Sequence, residues 1–151
     1  MDMQALLNTP PAGPLSTSVK ACPEGEFRAV IDDGDKWIAF REFDSKKTNQ
    51  TYQTVEISFR ILDENVQKQL TREKVFVPWK SFLDMTDSGG LDSSEGKNVS
   101  LGRLMDVAGV NGQGIGALRG KGPFIVKVGQ RSDEKDPTIK YAEIKRVSKI
   151  S

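Results

Sequence analysis

Between Thr51 and Leu62 apolar and polar residues alternate. Val55, Ile57, Phe59 and Ile61 fall on one parity, and Thr54, Glu56, Ser58 and Arg60 on the other. A period of two predicts a strand with one dry and one wet face. Glu24–Ile31 repeats the pattern, with Phe27, Ala29 and Ile31 opposed to Glu26, Arg28 and Val30. Lys36–Phe43, Lys74–Trp79, Pro123–Arg131 and Thr138–Val147 are predicted to be further strands. Pro78 either ends its strand or places it at a sheet edge. Turns are predicted at Asp32–Asp35, Asp44–Gln50 and Ser132–Pro137. After a long loop at Phe82–Gly96 the period changes. Leu101, Leu104, Met105 and Ala108 recur at helical spacing, with Asn98 or Ser100 to cap the start and Gly109 the end. Residues 1–22 hold Pro10, Pro11 and Pro14 and little charge, and are predicted to form a flexible tail with one helical turn at Met3–Leu7. The domain is expected over residues 23–151.

The resulting order is strand, strand pair, strand, helix, two strands. The fold class is all-β with one helix. With the helix between the third and fourth main strands, this is the element order of an oligonucleotide-binding (OB) fold, a five-stranded Greek-key barrel.

Composition narrows the chemistry. The 151 residues suit one core and are 36% hydrophobic, with no run long enough for a membrane helix. No secretory leader is evident at Met1–Val19, and the lone Cys22 excludes an internal disulfide, so a cytoplasmic setting is expected. The chain has no histidine, which removes Ser-His-Asp and Cys-His catalysis and histidine metal ligands. No enzymatic activity and no cofactor are expected. The net charge of +1 is segregated: Glu24–Asp35 and Phe82–Gly96 each carry −4, while Lys36–Lys80, Lys97–Gly122 and Pro123–Ser151 each carry +3. Segregated charge focuses a field even when the total is near zero.

Trp37, Phe40, Phe43, Tyr52 and Trp79 share one region with Lys36, Arg41, Lys46, Lys47, Arg60 and Lys80. Single-stranded nucleic acid needs this mixture, because bases stack on aromatic rings and phosphates attract Lys and Arg. The candidate stacking residues are Trp37, Phe40, Tyr52 and Trp79; the candidate phosphate contacts are Arg41, Lys46, Lys47, Arg60, Lys127 and Arg131. Core packing is the competing role for these aromatics, and it is assigned to Phe27, Phe59, Phe76 and Phe124. The glycines between Gly109 and Gly122 follow a helix rather than open one, and they lack a Gly-Lys-Ser/Thr ending, so they form no phosphate loop. Asp84–Glu95 has the spacing of a calcium loop, but Thr86 is a poor ligand and a strand precedes it; an acidic loop is the simpler reading. Asp32, Asp33 and Asp35 could hold a metal in a nuclease, yet acids in a glycine-containing turn are more simply a turn.

Pro23-Glu-Gly-Glu-Phe-Arg-Ala-Val-Ile31 resembles the "P-x-G-x-Y/F-x-A-x-I" opening strand of small bacteriophage proteins from replication and recombination clusters. The Leu101–Val110 helix and the run Gly122-Pro-Phe-Ile-Val-Lys-Val-Gly-Gln-Arg131 resemble the helix and following strand of that family, so that the likeness covers roughly residues 23–148. It implies an OB-type phage single-stranded DNA-binding protein that coats single strands during replication or recombination in the cytoplasm of a bacterial host. The implied partners are single-stranded DNA, with replication or recombination proteins and a second copy as further candidates, and no membrane. Many such proteins end in an acidic recruiting tail, whereas this chain ends in the basic Arg146–Ser151, so that feature is not carried over. The alternatives are a protein–protein or virion-structural β module and, less favoured, a metal-dependent nuclease.

Overall fold

The computed structural model describes residues 2–15 and 20–150. Six strands form one antiparallel sheet: β1 (Gly25–Val30), β2 (Ile38–Ser45), β3 (Gln50–Ile61), β4 (Phe76–Leu83), β5 (Phe124–Ser132) and β6 (Lys140–Lys149). Three α-helices accompany them: α1 (Met3–Asn8), α2 (Glu64–Leu70) and α3 (Val99–Ala108). The sheet runs β2-β3-β1-β5-β6, and β4 pairs with the remaining edge of β3. β4 and β6 lie alongside each other, but no ladder joins them, so the sheet does not close into a barrel. Among the described residues the five-stranded expectation is corrected to six strands; α1 matches the helical turn predicted at Met3–Leu7, and α2 is a helix beyond those expected. Among the described residues no helix is long and apolar enough to cross a membrane.

The alternation in β3 is realised in full. Val55, Ile57, Phe59 and Ile61 are completely buried, while Thr54, Glu56, Ser58 and Arg60 are half-exposed. Because antiparallel partners share a face, the register carries this choice outward. Val77 faces Phe59 and Trp79 faces Ile57 across β4, and both are buried. Across β1 and β5, Ala29 pairs with Phe124 and Phe27 with Val126. Phe59 meets Phe124 edge to face, with centroids 6.0 Å apart. Leu101, Leu104 and Met105 of α3 close over this core at the helical spacing seen in the sequence. Gly109 ends α3 in the left-handed conformation.

Two features escaped the hydrophobic pattern. α2 is a short helix whose N-cap Asp63 accepts a hydrogen bond from the Val66 backbone N–H at 3.0 Å, and Val66 and Leu70 bury its inner side. β4 continues through Pro78 to Leu83. It is bordered by β3 alone, which is where a residue without an N–H is tolerated in a sheet.

At the N-terminus, α1 is capped by Asp2, and none of its residues is buried. The tail predicted over residues 1–22 falls partly on residue 1 and residues 16–19, which lie outside the described residues. Its final residues belong to the packed body. Cys22 is in the core, the Gln130 side chain donates to its carbonyl at 2.7 Å, and Arg72 donates to the Lys20 carbonyl at 2.7 Å.

Three outcomes follow from this packing. Phe59→Ala should destabilise the fold by about 3–5 kcal/mol, read by urea denaturation, because both the ring and the cavity left behind count. Burial raises the Cys22 thiol from its ordinary 9.0 to about 11, although the nearby Arg72 charge opposes the rise. The unfolded thiol loses its proton near pH 9 while the folded one keeps it, so stability should fall as pH rises from about 9 to about 11. A thiol reagent at pH 9 should label denatured protein far faster than native protein.

Candidate functional site

The register that sends Val55–Ile61 inward sends a second set of residues outward on the far side of β2, β3 and β4. Phe43 stands opposite Tyr52, and Arg41 lies opposite Thr54, which in turn faces Phe82. Ala39, Glu56 and Lys80 form the next row, followed by Ser58 with Pro78 and then Arg60 with Phe76. Phe43, Tyr52 and Phe82 make one aromatic cluster. Phe43 lies 5.4 Å from Tyr52 and 5.6 Å from Phe82, and Tyr52 meets Phe82 edge-on at 5.8 Å. Phe82 is 61% exposed and Phe43 42%. Both rings are thus left open to water, although a buried phenylalanine side chain is worth about 1.5–3 kcal/mol over an exposed one. Beside them runs an open groove of about 320 Å³, lined by Arg41, Phe43, Thr54, Glu56, Lys80 and Phe82.

The side chains that hold the cluster come from the local ladder. The Tyr52 hydroxyl is 3.0 Å from Thr48 Oγ1 and donates to Gln50 Oε1 at 3.2 Å, so the ring is anchored at its polar end. Thr48 belongs to the β2–β3 turn, where Asn49 adopts a left-handed φ of 55° and its N–H bonds the Ser45 carbonyl at 2.8 Å. That turn carries Lys46 and Lys47, both exposed, at the end of the hairpin nearest the aromatic cluster. Arg41 approaches Glu56 at 3.7 Å, a loose and exposed pair that costs little to open.

The ten residues singled out from the sequence divide. Arg41, Lys46, Lys47 and Tyr52 gather at this face. Trp37 is on the same side of the sheet, stacked on Phe76 at 4.3 Å with the Lys36 ammonium 4.4 Å from its ring centre, so both of its faces are already engaged. Phe40 pairs with Val55 and therefore points to the opposite face, where it is nonetheless 59% exposed because β2 is the sheet's outermost strand. Trp79 is buried in the core and leaves the set of stacking residues. Arg60 is half-buried and holds both oxygens of Asp32 through Nε at 3.0 Å, so it is a clamp on the β1–β2 connection rather than a free cation. Lys127 stands on β5 between Glu26 and Arg146, away from the cluster. Arg131 lies over the Tyr141 ring at 4.9 Å and 3.8 Å from Glu143, on the far side of the space between β4 and β6.

Phe76 and Phe82 were not foreseen at this face, and Phe43 and Lys80, named in the aromatic and basic region, were not among the selected contacts. Phe76, assigned to the core, belongs to the outer face and supports Trp37. Phe82 and Lys80 follow from the same alternation as Val77 and Trp79, once β4 is allowed to run past Pro78. Phe43 is recognisable only when its partner Tyr52 is known.

Asp32 is held by Arg60 and Asp35 by Arg119. In the loop after β4, the Asn98 side chain accepts from the Asp84 N–H and donates to the carbonyls of Asp84 and Asp92, each within 2.8–2.9 Å. Among the described residues no three His, Cys, Asp or Glu side chains converge. Protein-family models, characterised proteins and solved structures yield no match to this chain.

Arg60→Ala should lower stability by about 1–3 kcal/mol in urea denaturation, because it strips a half-buried carboxylate of its charged partner. A variant as stable as the parent would show the Asp32 clamp to be idle.

Proposed function

We propose that the outer face of β2, β3 and β4 binds single-stranded DNA without chemical transformation of it. The observation that carries this reading is the uncovered cluster Phe43, Tyr52 and Phe82, set beside Arg41 and Lys80 and below the lysine-bearing turn. Unpaired bases present flat apolar faces that such rings accept, and the cations meet the phosphates between them. Duplex DNA hides its base faces in the stack, so the face prefers single strands.

The finer fold reading is an open OB-like sheet. Its support is that long β3 pairs with three strands, that β1 bridges β3 and β5, and that α3 is inserted between β4 and β5. The likeness of Pro23–Ile31 and Gly122–Arg131 to phage replication and recombination proteins supports a role in coating single strands during those processes, in the cytoplasm of a bacterial host. A second reading, a protein-docking β module, rests on Phe40, exposed on the opposite face.

Fluorescence anisotropy of a labelled oligothymidylate tests the proposal. Binding should resist duplex competitor and weaken with salt, with a log–log slope of about −0.7 for each phosphate neutralised. Phe82→Ala should reduce affinity about tenfold, the loss of one stacked base, while Lys127→Ala leaves it within about twofold. Binding indifferent to both salt and Phe82 would sink the single-strand reading and leave the docking module.

A further inference from the structure

The sheet fails to close between β4 and β6, and the opening is not empty surface. It is a groove of about 480 Å³. Cys22, Val75 and Ala142 are among its lining residues, and residues 20–22 are held beside it, as a strap, by the Arg72 and Gln130 hydrogen bonds. Five cationic side chains line it: Lys20, Arg72, Lys80, Arg131 and Lys140, against the single carboxylate of Glu143. Glu143 is already offset by Lys145 at 2.5 Å and Arg131 at 3.8 Å. Among the described residues, Lys20, Arg72, Lys80 and Lys140 have no carboxylate within ion-pair distance. Four cations without an ion pair within one groove favour a polyanion.

Lys80 also lines the groove beside the aromatic cluster, so the two grooves share a wall. At the far end Tyr141 is 41% exposed, with the Arg131 guanidinium over its ring.

We infer that the β4–β6 groove is a second subsite for the same single strand. The strand leaves the cluster at Phe82, passes Lys80, and lays its phosphates along Arg72, Lys140 and Lys20, with a further base stacked at Tyr141. This rests on the single-strand reading and extends it: the open seam sets the length of strand that the protein occupies.

Oligothymidylates of about 4 and about 12 nucleotides, titrated in parallel, separate the two subsites, because single-strand sites span that range of lengths. The variants are Tyr141→Ala and the double substitution Lys140→Gln with Arg72→Gln. Thermal melting checks their folding, and the exposed Tyr141 provides an arm independent of the Arg72 strap. Each variant should weaken the long oligonucleotide about tenfold and leave the short one within about twofold, and the double variant should also flatten the salt slope for the long one by about 1.4. Equal losses at both lengths, or no loss at either, overturns the groove assignment while the aromatic face stands. Variants that lose an oligoglutamate peptide but keep the long oligonucleotide make the groove a protein-docking site and likewise overturn it. Wild-type protein that binds neither length removes both readings.

Discussion

Strand β3 has two edges and two faces, and the structure depends on how all four are used. One edge is held by β2 and then by β1, the other by β4. One face is fully dry from Val55 to Ile61; the other is wet. Antiparallel pairing copies that partition to every neighbour, since residues directly opposite lie on the same side. A slip of one residue in any of these ladders would exchange the core for the surface. The burial of four β3 side chains therefore decides where Phe43, Phe76, Lys80 and Phe82 must point, though none of them touches that core row by choice of its own.

The aromatic residues show how this division works. Phe59, Phe124 and Trp79 lie on the inward parity, and their burial stabilises the fold. Phe43, Tyr52 and Phe82 lie on the outward parity with little to cover them. Burial favours apolar contact equally wherever it occurs, so three clustered rings left in water represent stabilisation not realised in the isolated chain. A flat ligand with apolar faces would recover it. The anchoring of the Tyr52 hydroxyl by Thr48 and Gln50 limits the freedom lost when such a ligand arrives.

Charge follows a different logic. Several cations that stand out in the sequence are neutralised locally: Arg60 by Asp32, Arg119 by Asp35 and Arg146 by Glu26. The half-buried Arg60–Asp32 pair ties the acidic β1–β2 connection to the body, while the other two lie exposed at the surface. Of the cations without an ion pair among the described residues, Lys20, Arg72, Lys80 and Lys140 meet where the sheet stays open between β4 and β6. The near-neutral total thus hides a division between structural pairs and an unpaired positive groove.

By itself the sequence determined the strands, the α3 stripe and the inward row of β3, because periodicity of two or 3.6 is a local property that burial enforces wherever a core exists. It also placed aromatic and basic residues in one region. Tertiary structure alone decided which of them meet. Trp79 and Phe82 are three residues apart and lie on opposite faces, and Phe43 and Tyr52 are nine apart and stacked. The continuation of β4 past Pro78 depended on β4 being an edge strand, one of the two readings that Pro78 leaves open in the sequence. Arg60 could not be distinguished from a free cation, since its partner Asp32 is 28 residues away. Nor could the groove be foreseen: Lys20, Arg72, Lys80 and Lys140 lie in four separate segments, and only the seam between β4 and β6 brings their charges onto one surface.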